Sequence, residues 1–290
     1  MEPERGLRVP LADHGNVRPV DASTPAESHS EIGAHPIRLS TVISALRGAG
    51  CVYAEDEAHL LLEAARTPEE LAVMLDERMA GRPLEHVLGW AEFCGLRIAV
   101  EPGVFVPRRR SEFLVEQAVT LTRPRDVVVD LCCGSGALGA ALARLRGPVE
   151  LHAADVDPAA VRCTRRNVDG HVYQGDLFDA LPARLRGRVN IVLANVPYVP
   201  SDDVELMPAE ARLHEHRVAL DGGADGLDLL RRVASATPQW LAPGGHLLIE
   251  TSERQARAAA DVFERCGLAA RVATDDEREA TVILGARRQR

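Results

Sequence analysis

The segment VVVDLCCGSGALGAALA, residues 127–143, constrains the fold more than any other stretch of the chain. A β-branched run leads into Gly134-Ser135-Gly136, and an alanine- and leucine-rich run follows. That order predicts a strand, a tight turn and a helix opening near Ala137. Glycine lets the backbone turn sharply and approach a ligand closely, and the amides of the first helical turn point at whatever binds there. Gly134, Gly136 and Gly139 also satisfy G-x-G-x-x-G, so a dinucleotide, another nucleoside ligand and a ligand-free turn all remain open.

The residues beyond Asp126 continue the same grammar. Strands are expected over 127–131, 150–154, 191–194, 247–249, 269–272 and 281–284, with helices over 137–145, 158–167 and 227–240. This is the rhythm of an α/β, parallel-dominated sheet covered on both faces. The last two strands follow one helix closely, so the final one is expected to enter antiparallel at the sheet's edge. Asp221, Gly222, Gly223, Asp225 and Gly226 read as a loop entering a helix, and Pro243-Gly244-Gly245 as a turn before a strand.

Upstream the pattern differs. Residues 1–36 are rich in Pro, Asp, Glu, His and Ser without apolar periodicity, and read as a mobile tail. Residues 37–93 carry helical stripes: Val42, Ile43 and Leu46; then Leu60, Leu61, Ala64 and Ala65; then Leu71, Met74, Leu75 and the stem of Arg78. Thr67 before Pro68, with Glu70 three residues on, is a helix-start signature. Residues 94–112 read as an interdomain hairpin turning around Pro102-Gly103, and 113–290 as the α/β domain.

The net charge of −9 argues against unselective nucleic-acid binding, which rests on phosphate neutralisation. The six cysteines show no C-x-x-C pair and no zinc-type spacing, which fits reduced thiols in a cytoplasmic protein, and no metal is expected. No apolar run approaches membrane-spanning length. Arg108, Arg109 and Arg110 form a local basic patch, read first as solvated surface and second as a substrate contact.

Three acids follow the strand ends. Asp155, closing the second strand, is placed to bond ribose hydroxyls. Asp157 before Pro158 is a helix cap. Asp176, after a short third strand, is placed to accept from an adenine amino group. Asp130, four residues before Gly134, suits a cationic ligand group and would repel a pyrophosphate, so electrostatics prefer S-adenosylmethionine over NAD. The stretch IVLANVPYVP then ends a strand in Asn195-Val196-Pro197-Tyr198, an awkward continuation of a sheet but a good way to present an amide.

With these motifs in order, the chain resembles the class I methyltransferases (Rossmann-like), and within them the protein-(glutamine-N5) methyltransferase family (HemK/PrmC). GRPLEHVLGWAEFCGLRIAVEPGVFVPRRRSEFLVE is similar to the family's interdomain hairpin and its PRPxTE-like run, and ALDGGADGLDLLRRV and LAPGGHLLIETSERQ resemble later family segments. The resemblance spans about residues 37–285. It implies S-adenosyl-L-methionine as methyl donor, held by Asp130, Cys132, Gly134, Ser135, Gly136, Asp155, Asp176 and Asn195. It implies a catalytic wall of Asn195, Val196, Pro197 and Tyr198, and a peptide chain release factor as protein substrate. A DNA or RNA base amino-methyltransferase and a small-molecule methyltransferase stay as alternatives. The chain departs from the family in Val196 for a proline, Cys132 for a common glycine, the triple arginine, Asn190 for a frequent aspartate, and a shorter helical domain.

Overall fold

Alternation of buried residues, pointing to opposite faces, explains the sheet. In the computed structural model, which describes residues 38–288, strand β3 (Val127–Leu131) has all five residues buried. Val127, Val129 and Leu131 join one core; Val128 joins another on the opposite face. A strand covered on both sides must read as a continuous apolar run, as this one does. The tail read over residues 1–36 lies outside the described residues.

Ahead of β3 come helices α1 (Leu39–Gly48), α2 (Ala54–Ala64), α3 (Pro68–Met79) and α4 (Leu84–Leu88). Strands β1 (Trp90–Phe93) and β2 (Leu96–Ala99) follow, then helix α5 (Glu112–Leu121). After β3 run α6 (Ala137–Arg146), β4 (Glu150–Asp155), α7 (Pro158–Asn167), β5 (His171–Gln174) and β6 (Val189–Ala194). The chain continues through α8 (Ala209–His214), α9 (Asp228–Ala236), β7 (Leu241–Thr251), α10 (Ala256–Arg265), β8 (Leu268–Asp275) and β9 (Ala280–Arg287). A seven-stranded sheet has the order β5-β4-β3-β6-β7-β9-β8. Helices α9 and α10 cover the face bearing Val129 and Ile249, and α5 and α6 the face bearing Val128 and Leu248. The chain steps from β3 outward to β5, then returns to β6 on the other side, which opens a crevice at the carboxyl ends of β3 and β6.

Several expectations shift. The last strand is antiparallel, but it inserts between β7 and β8 rather than at the edge; pairing on both sides buries a strand as apolar as Thr-Val-Ile-Leu. The hairpin turns at Cys94-Gly95, both left-handed, and not at Pro102-Gly103, because β1 pairs directly with β2. Pro243-Gly244-Gly245 lies inside β7, where Val189 pairs with Leu241 and Ile191 with His246, a bulge rather than a turn. The helix expected over 227–240 ends at Ala236, and Pro238 sits in a 3-10 turn instead.

The amino-terminal helices have their own small core of Val42, Leu46, Ala58, Leu61, Leu71 and Met74. Thr67 caps α3 by accepting from the Glu70 amide at 3.1 Å. Arg78 buries more than its stem: its guanidinium pairs with buried Glu57 of α2 at 2.6 Å and with Glu210 of α8 at 2.6 Å. Among the described residues no helix is long and apolar enough to cross a membrane.

Candidate active site

The turn after β3 is shaped by left-handed backbone. Gly134 and Gly136 have φ of 55° and 78°, and a Cβ on Gly136 would meet Thr164 Cγ2 at 2.8 Å. Cys132 also sits at φ 52°, a strained place for a side chain, which explains why glycine suits this position. Its thiol is pushed up by burial first and by Asp155 and Asp130 next, so it stays neutral.

The carboxylate of Asp155, ending β4, is committed to local backbone. One oxygen accepts from the Gly134 amide at 2.9 Å and the other from the Asp157 amide at 2.9 Å. Burial pushes its carboxyl above the usual range, against the pull of those amides. Asp157 caps α7 through the Ala159 amide at 2.8 Å, the structural role expected of it.

Across the crevice, the wall after β6 is held by side chains from far away. Asn195 Nδ2 donates to Ser111 Oγ at 3.2 Å. The Tyr198 hydroxyl donates to Glu250 Oε1 at 3.1 Å, and Arg110 Nε donates to the same oxygen at 3.1 Å while lying over the Tyr198 ring. Burial, then the Glu250 charge, push the Tyr198 hydroxyl up, so it remains a donor. Gln255 Nε2 donates to the Tyr198 carbonyl at 2.9 Å, and the Gly222 amide to the Val199 carbonyl at 2.8 Å. A Cβ on Gly222 would lie 2.6 Å from the Pro197 carbonyl oxygen, so the 221–226 loop backs this wall directly.

Both sides line one cavity of about 1060 Å³, counted out to its open mouth. Cys132, Gly134, Ser135 and Asp155 line it from the glycine-loop side, and Asn195, Val196, Pro197 and Tyr198 from the other. Three expected residues are not brought to its surface. Asp130 is wholly buried beneath the loop, accepting from the Gly139 amide at 3.0 Å. Burial first, and Asp155 after it, push its carboxyl up to about 8 against the pull of that amide, which favours the protonated form over the fixed negative charge expected there. Gly136 shapes the turn from behind. Asp176 is half exposed outside the cavity and pairs with Arg232 of α9 at 2.5 Å.

The basic patch is also corrected in part. Arg108 pairs with buried Glu215 at 2.5 Å and Arg110 with buried Glu250, because buried carboxylates need a countercharge. Arg109 alone is exposed without a pair among the described residues.

Residues 95–226 match the Methyltransferase small domain. The chain is 34% identical over 228 residues to the release factor glutamine methyltransferase of Geobacter sulfurreducens, spanning 76% of this chain and 79% of that one. It is 37% identical over 221 residues to the enzyme of the same name from Mycolicibacterium smegmatis, spanning 73% and 78%. The chain belongs to the release factor glutamine methyltransferase family. A methyltransferase from Pyrococcus furiosus shares the fold, with a TM-score of 0.54 over 73% of this chain and 99% of that one at 16% identity.

S-adenosyl-L-methionine is the methyl donor of this family. The cavity fits it on one observation: the Asp155 carboxylate and a turn of glycine backbone meet at the ends of β3 and β4 on the cavity that Asn195 also lines. Sequence reasoning gave Ser111, Glu250 and Gln255 no role, although all three lie in the family-like segments. Their support of the wall is not visible locally, since each reaches it across more than fifty residues.

Proposed function

We propose that the chain transfers a methyl group from S-adenosyl-L-methionine to the side-chain amide nitrogen of a glutamine in a peptide chain release factor. The observation that carries this reading is Asn195. Its Nδ2 is committed to Ser111, while Oδ1 accepts no hydrogen bond among the described residues and the side chain lines the donor cavity. A carboxamide nitrogen is a poor nucleophile, so the task of the protein is placement. Asn195 Oδ1 accepts one substrate N–H and the Val196 carbonyl the other, which orients the nitrogen and favours the positive charge that grows on it. The carbonyls of Tyr198 and Val199 are already occupied, whereas no hydrogen bond reaches that of Val196 among the described residues. Val196 is 1% exposed and packed in the core, which supports a fixed carbonyl without the ring of a proline.

When bound, S-adenosyl-L-methionine supplies a methyl group already activated by its sulfonium. Asp155 takes the ribose hydroxyls, the Gly134-Ser135 backbone lies against the donor, and Tyr198 packs beside the substrate amide. Asp176, read as the acceptor for the adenine, is paired with Arg232 outside the cavity. Helices α1 to α4, tied to α8 through Arg78, are the helical domain that meets the protein substrate; the linking hairpin begins with β1 at Trp90 rather than at 94, and leads to the methyltransferase domain read over 113–290.

The test is incubation of the chain with labelled donor and one of three acceptors: a release factor, the same factor with its glutamine changed to alanine, or bare DNA. Label is expected only in the first. Label in the alanine variant or in DNA sinks the reading.

A further inference from the structure

We propose that Ser111 is a positioning residue for the transfer, holding Asn195 so that its Oδ1 is presented to the cavity. The inference rests on the reading above, in which Oδ1 receives a substrate N–H. Asn195 follows the last residue of β6, so no strand ladder fixes it. The Ser111 hydroxyl is what its Nδ2 meets, at 3.2 Å. Ser111 is 2% exposed, so water does not compete readily for Oγ, and a hydrogen bond in such a place is worth more than one in solvent.

The position of Oγ is itself fixed by its neighbours in sequence. Arg108 is tied to Glu215 and Arg110 to Glu250. Glu112 accepts from the Cys94 amide at 2.8 Å, and the Ser111 amide donates to the Arg108 carbonyl at 2.9 Å. Four of five consecutive side chains are therefore anchored, three of them on groups other than Asn195. Two adjacent residues of one turn grip two points of the wall: Ser111 the Asn195 amide, and Arg110, through Glu250, the Tyr198 hydroxyl.

A hydroxyl can accept from an amide NH2 or donate to an amide oxygen, so it satisfies Asn195 either way round. What selects the orientation is the other end. With Nδ2 spent on Ser111, the lone pairs of Oδ1 face the cavity and complement an N–H; the reverse would set two donors against each other. Ser111 lines the same cavity beside Asn195, and its effect on turnover is exerted through the Asn195 amide.

The isosteric pair Ser111→Thr and Ser111→Val separates hydroxyl from bulk, with Ser111→Ala as the truncation. Steady-state methylation of a release factor is measured beside donor affinity by calorimetry. We expect Ala and Val to lower kcat about five- to tenfold, the loss of roughly one hydrogen bond. Donor Kd should stay within about twofold, and Thr should recover most of the turnover. Equal turnover of Thr and Val overturns the proposal, as does loss of donor binding in Ser111→Ala, which makes the hydroxyl a structural group. A wild-type chain that leaves the release factor unlabelled overturns the functional reading and this one with it, whereas an active wild type with equal Thr and Val variants overturns this one alone.

Discussion

The two sides of the cavity are built in opposite ways. On the glycine-loop side the decisive contacts are local and end on backbone: Gly134 to Asp155 spans 21 residues, and Asp157 to Asp155 spans two. On the Asn195 side they are distant and run between side chains: Asn195 to Ser111 spans 84 residues, Tyr198 to Glu250 spans 52 and Arg110 to Glu250 spans 140. A site of the first kind follows from a short sequence once it folds locally. The second kind exists only when three separate parts of the chain have docked.

If that contrast holds, variants should divide cleanly between binding and turnover. Asn195→Ala should reduce kcat by about a hundredfold or more, the usual cost of removing an orienting group from a reaction centre, with donor affinity nearly unchanged. Full turnover in that variant would break the assignment. Asp155→Ala should weaken donor binding by about ten- to a hundredfold, the range for a charge-assisted hydrogen bond, read by calorimetry; an unchanged Kd would move the ribose site elsewhere.

Glu250→Gln probes the wall without touching the cavity. It weakens the hold on Tyr198 and leaves Arg110 unpaired; Arg110 is half exposed, so solvent softens the loss to about 1–2 kcal/mol. A thermal melt with no shift, together with normal turnover, would leave Tyr198 as an ordinary packed aromatic.

Asp130 gives the glycine-loop side a pH signature. Its carboxyl is pushed up to about 8 in the folded chain, against an ordinary value near 3.8. Between those two pH values the folded chain holds a proton that the unfolded chain has lost, so this group makes stability fall as pH rises and stops contributing to the slope above about pH 8. Asp130→Asn should flatten the denaturant midpoint against pH across that window. A slope unchanged by the substitution would mean that Asp130 is already ionised. The smallest effect is expected from Cys132→Gly, where relief of a left-handed side chain offsets lost packing and leaves stability within about 1 kcal/mol.

The same contrast explains what the amino-acid sequence made legible. Strand β3, the glycine turn and the Asp157 cap could be read because each is specified by neighbours a few residues away, and Asp155 because it closes a strand one βα unit later. The antiparallel sense of the last strand could be read from the short link between it and β8, both following one helix, but not its insertion, which depends on which edge of β7 is free. Ser111, Glu250 and the paired arginines were opaque for the same reason. An arginine run looks like surface until the buried carboxylates that it neutralises are in place. Asp130 was legible as a residue and not as a charge, since its burial comes from the sheet closing around it.

The inserted strand carries one more consequence. Glu250, which anchors Tyr198 and Arg110, lies on β7 opposite Val282 of β9. During synthesis β7 emerges about thirty residues ahead of that partner, and until residues 280–287 leave the ribosome it presents an open edge to pairing with other chains. The glycine turn and Asp155 can be in order long before then. The segments of the glycine-loop side thus leave the ribosome before the strand that covers the anchor of the Asn195 wall.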